Sequence, residues 1–226
     1  MASSSIPFTI ALADGAGVSA LLDAPAAAWA CYVFAHGAGA GMDHAFMAAM
    51  AAGLAARGVA SLRFQFPFME KGSKRPDSPA VAQAAVRAAV QEAAGRLPGM
   101  PVFAGGKSFG GRMTSQAQAA GLLPHVEGLV FVGFPLHPAG KPGAGRAKHL
   151  AGVDVPMLFL QGTRDALADL DLVRETTATL ADRATLHVVD GADHAFHVLV
   201  RSGRNDDQVR DELLDTMAGW MKRIVR

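Results

Sequence analysis

The run Pro101-Val102-Phe103-Ala104-Gly105-Gly106-Lys107-Ser108-Phe109-Gly110 joins an apolar, strand-like segment to a helix-like one, and its junction reads G-x-S-x-G. In that setting the serine occupies a strand-to-helix turn so tight that its backbone is strained and its Oγ is presented at the top of a sheet. Gly106 and Gly110 flank it because side chains there would strike the neighbouring strand and helix. The five-residue pattern alone occurs by chance in many chains. Here Asp165 and His194 follow it, each in its own strand-end loop, so a nucleophile, an acid and a base come in that order.

Outward from this junction, strand-like and helix-like segments alternate along the chain, which predicts an α/β fold with a mainly parallel sheet flanked by helices. Residues 8–12 and 18–22 flank Asp14-Gly15-Ala16-Gly17 and read as an antiparallel hairpin at the sheet edge. A buried strand over 29–35 precedes a glycine loop and a helix over 43–57, with Asp43 as its cap and Gly58 as its stop. The strand over 59–65 ends in Phe66-Pro67-Phe68, and a polar loop over 69–78 leads into an Ala-rich helix over 79–96 that starts with Pro79. Beyond the G-x-S-x-G helix, strands are expected over 128–133, 157–161 and 185–189, and helices over 166–180 and 207–224. No repeat or linker divides the chain, so one domain over 1–226 is expected. In such a sheet ligands gather at the carboxyl ends of the strands, where the chemically interesting segments converge.

The 226 residues fit one α/β domain, and with half of them hydrophobic and 18% charged a large core is available. A net charge of +1 gives no reason to expect nucleic-acid or membrane-surface binding. Cys31, the one cysteine, lies in an apolar run and reads as a buried structural thiol. The stretch from Met1 to Ser5 lacks a basic region followed by a long apolar core, so no leader is expected. No stretch is long and apolar enough to cross a bilayer, and a cytoplasmic location is the expectation. Oligomeric state is left open.

Ser108 is the candidate nucleophile, whose hydroxyl needs an adjacent imidazole to take its proton during attack. His194 is the candidate base, with His197 as its rival. Asp165 is the candidate that fixes the imidazole tautomer, against Asp169 and Asp193. The oxyanion calls for two aimed N–H donors: the Phe109 amide, and the Ala38 amide in the loop His36-Gly37-Ala38-Gly39. His36 itself reads as a brace for that loop, and His44 as a surface or loop-facing residue. Phe66, Phe68, Phe109, Phe134 and Leu136 are candidates to line an apolar acyl pocket.

Competing motifs fail on spacing. A phosphate-binding loop needs glycine where Pro101 stands, and a dinucleotide fingerprint begun at Gly37 needs glycine where Met42 stands. His194 and His197 with Asp193 make a weak metal pattern without further spaced ligands, so no cofactor or metal is expected. Lys71, Lys74 and Arg75 form a basic cluster that is either a solvated loop or an attractor for acidic substrates, and Lys141, Arg146, Lys148 and His149 raise the same question.

With these motifs in place, the chain resembles the small, lidless α/β-hydrolases, loosely the dienelactone-hydrolase-like group, in which the order Ser, Asp, His is expected. It is more closely similar to a subgroup of predicted hydrolases. The residues that carry this are His36-Gly37-Ala38-Gly39-Ala40-Gly41, Arg63-Phe64-Gln65-Phe66-Pro67-Phe68, Gly105-Gly106-Lys107-Ser108-Phe109-Gly110-Gly111-Arg112 and Gly191-Ala192-Asp193-His194. The similarity runs from about residue 8 to the last helix. It implies Ser108, Asp165 and His194 as a catalytic triad. Dienelactone hydrolases use a cysteine nucleophile where this chain has Ser108, which favours general ester chemistry. The loop over 136–146 is too short for a lid. The expectation is a serine hydrolase cleaving a small acyl ester or thioester, with amide cleavage as a variant. A hydrolase-fold interaction module with little or no turnover is the alternative from another class.

Overall fold

A computed structural model describes residues 5–226, so Met1 to Ser4, read above for a leader, lie outside the described residues. In chain order the elements are β1 (Ile6–Ala11), β2 (Gly17–Asp23), β3 (Ala30–Ala35), α1 (Ala45–Ala56), β4 (Val59–Phe64), α2 (Pro67–Glu70) and α3 (Pro79–Arg96). There follow β5 (Val102–Lys107), α4 (Phe109–Ala120), β6 (Val126–Val132), β7 (Met157–Gly162), α5 (Leu170–Thr179), β8 (Ala184–Val189) and α6 (Asp206–Ile224). The strands form one eight-stranded sheet in the order β1-β2-β4-β3-β5-β6-β7-β8. β1 and β2 pair antiparallel, β2 meets β4 antiparallel, and every pairing from β4 through β8 is parallel.

Both faces of the sheet are covered, which is why its central strands read as continuous apolar runs rather than alternating ones. In β3, Cys31, Val33 and Ala35 pack on the side of α3 and α4, while Ala30, Tyr32 and Phe34 pack on the side of α1 and α6. Burial in the first of these layers pushes the Cys31 thiol up to about 12. The alanine runs of α3 serve this packing: Ala82, Ala85, Ala89 and Ala93 recur at helical spacing and are all buried, letting the helix lie close to the sheet.

Four local expectations need correction. α1 is capped by His44, whose Nδ1 accepts from the Phe46 N–H, so the helix begins after Asp43 rather than at it. The Phe66-Pro67-Phe68 segment starts the short helix α2, because Pro67 at its first position needs no N–H partner. The segment Gly145–Gly152, between the strands expected over 128–133 and 157–161, is a 3-10 helix rather than irregular loop. α5 starts at Leu170, not 166, because the Asp169 carboxylate accepts from the Asp171 and Leu172 N–H groups and caps it. Among the described residues no helix is long and apolar enough to cross a membrane.

Candidate active site

The elbow between β5 and α4 places Ser108 at φ 51°, ψ −112°, a left-handed conformation that a serine adopts only under constraint. The constraint is the approach of β3. A Cβ at either Gly106 or Gly110 would overlap the Ala35 carbonyl oxygen, so only glycine lets the turn close against that strand. The turn is further tied by the Ser108 N–H donating to the Val132 carbonyl, 3.2 Å, and by the Arg112 N–H donating to the Ser108 carbonyl, 3.1 Å.

From Ser108 a line of hydrogen bonds crosses to the neighbouring loops. Ser108 Oγ lies 2.8 Å from His194 Nε2, and His194 Nδ1 lies 2.7 Å from Asp165 Oδ2. A carboxylate opposite Nδ1 requires that nitrogen to donate, which leaves Nε2 free to accept the serine proton. The Asp165 side chain is 0% exposed, whereas that of His194 is 25% exposed and reaches the solvent side. Besides the imidazole, the carboxylate accepts from Gln161 Nε2 and, at 2.8 Å, from the Leu167 N–H, so the buried charge is well supplied with donors.

The rivals of these residues are engaged elsewhere. His197 is exposed and bonds to Asp206 at 2.9 Å. Asp193 Oδ1 accepts from the Ala195 and His197 N–H groups and shapes the loop after β8 without reaching the ring. Asp169 is the α5 cap already described.

The loop after β3 runs beside the nucleophile, close enough that a Cβ at Gly37 would lie 3.9 Å from Ser108 Cβ. Its bracing explains the Arg63-to-Phe68 motif. Arg63 Nη1 donates to the Met42 carbonyl, 3.0 Å, and Gln65 Oε1 accepts from the Met42 N–H, 2.9 Å. Arg63 is itself held by a buried ion pair with Asp23, 2.9 Å. His36 Nδ1 donates to the Gly37 carbonyl, 2.7 Å, and its Nε2 accepts from the Phe66 N–H, 2.9 Å. Burial holds the His36 pKa below the usual imidazole range, which keeps Nε2 an acceptor. Among the described residues neither the Ala38 nor the Phe109 N–H has an acceptor within the protein.

The cleft over Ser108 has a volume of about 650 Å³. Its apolar wall comes from Ala38, Phe46, Met47, Leu167 and Ala195, with His44 at one side. Phe66, Phe68, Phe134 and Leu136, expected to line an acyl pocket, are buried in the layer beneath and do not face this cleft. Their rings turn inward: Phe66 and Phe68 pack edge-on against Phe109, and Phe134 packs against Phe131 and Phe159. Lys71, Lys74 and Arg75 are exposed and lie outside the cleft lining. Among the described residues no group of three or more His, Cys, Asp or Glu side chains is disposed to hold a metal ion.

Two residues at the site carry no role among the sequence expectations. Lys107 lines the cleft beside Ser108, and its ammonium donates to the His194 carbonyl. Phe196 has φ 65°, an unusual conformation for a bulky side chain, and stacks on Phe46 with ring centroids 6.4 Å apart. A positive charge at the x position of G-x-S-x-G was the signal available for the first; the second had none.

The profile of a family described as an alpha/beta hydrolase domain matches residues 28–222 of this chain. Among solved structures the chain is similar to a dienelactone hydrolase from Anabaena variabilis, at 17% identity and a TM-score of 0.79, over 99% of each chain. It is also similar to an α/β serine hydrolase without a lid from Xanthomonas campestris, at 22% identity and a TM-score of 0.74, over 96% of this chain and 94% of that one. An esterase domain from Rhodothermus marinus aligns at 16% identity and a TM-score of 0.74, over 97% of this chain and 98% of the other. At these identities the likeness establishes a shared fold.

Proposed function

Since the chain belongs to the alpha/beta hydrolase domain family, we propose that it is a serine hydrolase of carboxylesterase type, cleaving a small acyl ester or thioester through an acyl-enzyme. The observation that carries this reading is the hydrogen-bonded line from Ser108 Oγ through the His194 ring to the buried Asp165 carboxylate.

Ser108 Oγ attacks the acyl carbonyl while its proton passes to His194 Nε2, and Asp165 stabilises the imidazolium that forms. The carbonyl oxygen becomes an oxyanion held by the Ala38 and Phe109 N–H groups, backbone donors that need little reorganisation as charge develops. When the tetrahedral species collapses, the acyl–oxygen or acyl–sulfur bond breaks, and Nε2 returns the proton to the departing alkoxide or thiolate. Water then attacks the acyl-serine with its proton taken by the same Nε2, and collapse releases the acid and restores Ser108. The modest, largely apolar cleft fits a short acyl group in the open better than a lipid that must be drawn under a lid.

The test is hydrolysis of a short-chain nitrophenyl ester beside the matching anilide, by wild type and Ser108→Ala. A burst of nitrophenolate followed by steady turnover, both lost in the variant and weaker with the anilide, is the expected result. Ester hydrolysis that survives in folded Ser108→Ala contradicts the reading.

A further inference from the structure

Lys107 ends β5 immediately before the nucleophile, yet its side chain reaches the base. The ammonium donates to the backbone carbonyl of His194 and lies 5.3 Å from the centroid of the Phe196 ring. A Cβ placed on Gly133, just after β6, would stand 3.0 Å from Lys107 Nζ and 3.5 Å from His194 Cε1 and Nδ1. The ammonium and the imidazole edge therefore share one small space beside Gly133, whose φ of 72° itself favours glycine. We propose that Lys107 is a positioning residue: its ammonium clamps the base-bearing loop to the nucleophile's own strand, and the clamp loosens when that ammonium loses its proton. The kinetic consequence rests on the serine-hydrolase reading; the clamp itself does not.

The geometry shows why such a tie is needed. The other fixings of the loop after β8 set its internal shape, hold it to α6 or hold it to the loop after β7. Asp193 Oδ1 caps the Ala195 and His197 N–H groups, and Asp206 receives the Val198 N–H and the His197 ring. The Gly191 N–H donates to Thr163 Oγ1, the Arg164 N–H donates to the Ala192 carbonyl, and the His194 ring meets Asp165. Lys107 reaches from the end of β5 to the backbone of His194, where Ser108 meets only the ring. It does so at a residue pair, His194 and Phe196, whose backbone is strained at Phe196. A cation over the Phe196 ring and the Phe46 ring stacked on it hold that conformation in place.

The titratable groups facing the ammonium are Asp165 from the loop after β7, and Asp193 and His194 from the loop after β8; the end of β6 offers only Gly133. Burial draws the Lys107 pKa down from the usual lysine value to about 8, with Asp165 and Asp193 opposing a further fall. A charge-assisted hydrogen bond is roughly twice as strong as a neutral one. Loss of the proton removes both that strength and the attraction to the ring.

The experiment follows the His194 Hε1 resonance and, in parallel, kcat and KM for a nitrophenyl ester across neutral to alkaline pH. Wild type is compared with Lys107→Met and Lys107→Arg, with folding monitored by thermal unfolding. In wild type, Hε1 moves with a midpoint near the Lys107 pKa of about 8, and kcat falls over the same interval. In Lys107→Met the step vanishes and kcat drops on the order of ten- to a hundredfold with KM little changed, since misplacing the base weakens the transition state rather than substrate binding. Lys107→Arg, whose guanidinium keeps its proton throughout, also lacks the step but regains part of kcat. Persistence of the step in Lys107→Met, its absence from wild type, or a Lys107→Met kcat within about twofold of wild type overturns the clamp. Wild type that shows the step but neither hydrolyses ester nor reacts with a phosphonate removes the hydrolase reading and leaves the clamp standing.

Discussion

Two loops meet at Ser108, and they are held in opposite ways. The loop after β3, which carries Ala38, is fastened from below by Arg63, Gln65 and His36, all rooted in β4 or in the loop itself. Its ties are buried or partly buried hydrogen bonds, and burial holds the His36 pKa below the usual imidazole range, which keeps its acceptor nitrogen in place near neutrality. The loop after β8, which carries His194, is fastened by Lys107 at the His194 carbonyl, by Asp193 within the loop, by Asp206 from α6, and by Thr163 and Arg164 from the loop after β7. Under the proposed mechanism, a surface that binds a developing oxyanion gains from rigidity, and a base that takes and returns a proton inherits the pH dependence of the Lys107 ammonium beside it.

The largest expected effect comes from the anchor of the second loop. Asp165→Asn keeps the shape but presents the wrong hydrogen-bonding group to Nδ1, and kcat for ester hydrolysis falls about ten-thousandfold. A loss of tenfold or less would mean that the base loop holds its imidazole without Asp165. For the first loop, Arg63→Met leaves Asp23 buried without its partner and lowers stability by about 3–5 kcal/mol, read by urea unfolding. The double replacement Asp23→Leu with Arg63→Met recovers much of that loss. If Arg63→Met is as stable as wild type, the contrast in how the loops are braced fails.

Lys107→Met separates the two loops by the sign of its effect on stability. The fold lowers the Lys107 pKa, so the charged form is penalised at every pH below about 8, and the penalty fades as pH rises toward the unfolded value. At neutral pH the variant therefore has a Tm equal to or above that of wild type although its turnover is lower, and the difference shrinks in alkaline solution. A marked fall in Tm at neutral pH would contradict this. Over the same titration, the amide resonances of Gly37 and Ala38 stay still while those of Ala195 and Phe196 move. Smallest of all is His197→Ala: its ion pair with Asp206 is solvent-exposed, and kcat stays within about twofold of wild type.

Much of the architecture was legible in the chain because local and global preferences agree. α3 spans Pro79–Arg96 as its proline start and alanine spacing predict, and the elbow glycines follow directly from the closeness of β3. The positions of Ser108, Asp165 and His194 at strand ends also follow from the alternation of elements. The walls of the cleft did not. Phe66, Phe68, Phe134 and Leu136 stand at strand ends but turn into the core, while Phe46 and Met47 reach the cleft from α1, an approach set by tertiary packing that no spacing encodes. The start of α5 was hidden because Asp169 caps a helix that the preceding apolar residues seemed to extend. Lys107 was hidden for a related reason: its partner is a backbone carbonyl 87 residues away in sequence, which leaves no trace in composition.

If these loops assemble one reactive serine, a fluorophosphonate reaction followed by peptide mapping will find it. A single adduct on the peptide containing Ser108, formed by wild type and absent from Ser108→Ala, is expected. Folded wild type that forms no adduct, or forms it on a serine other than Ser108, would contradict it.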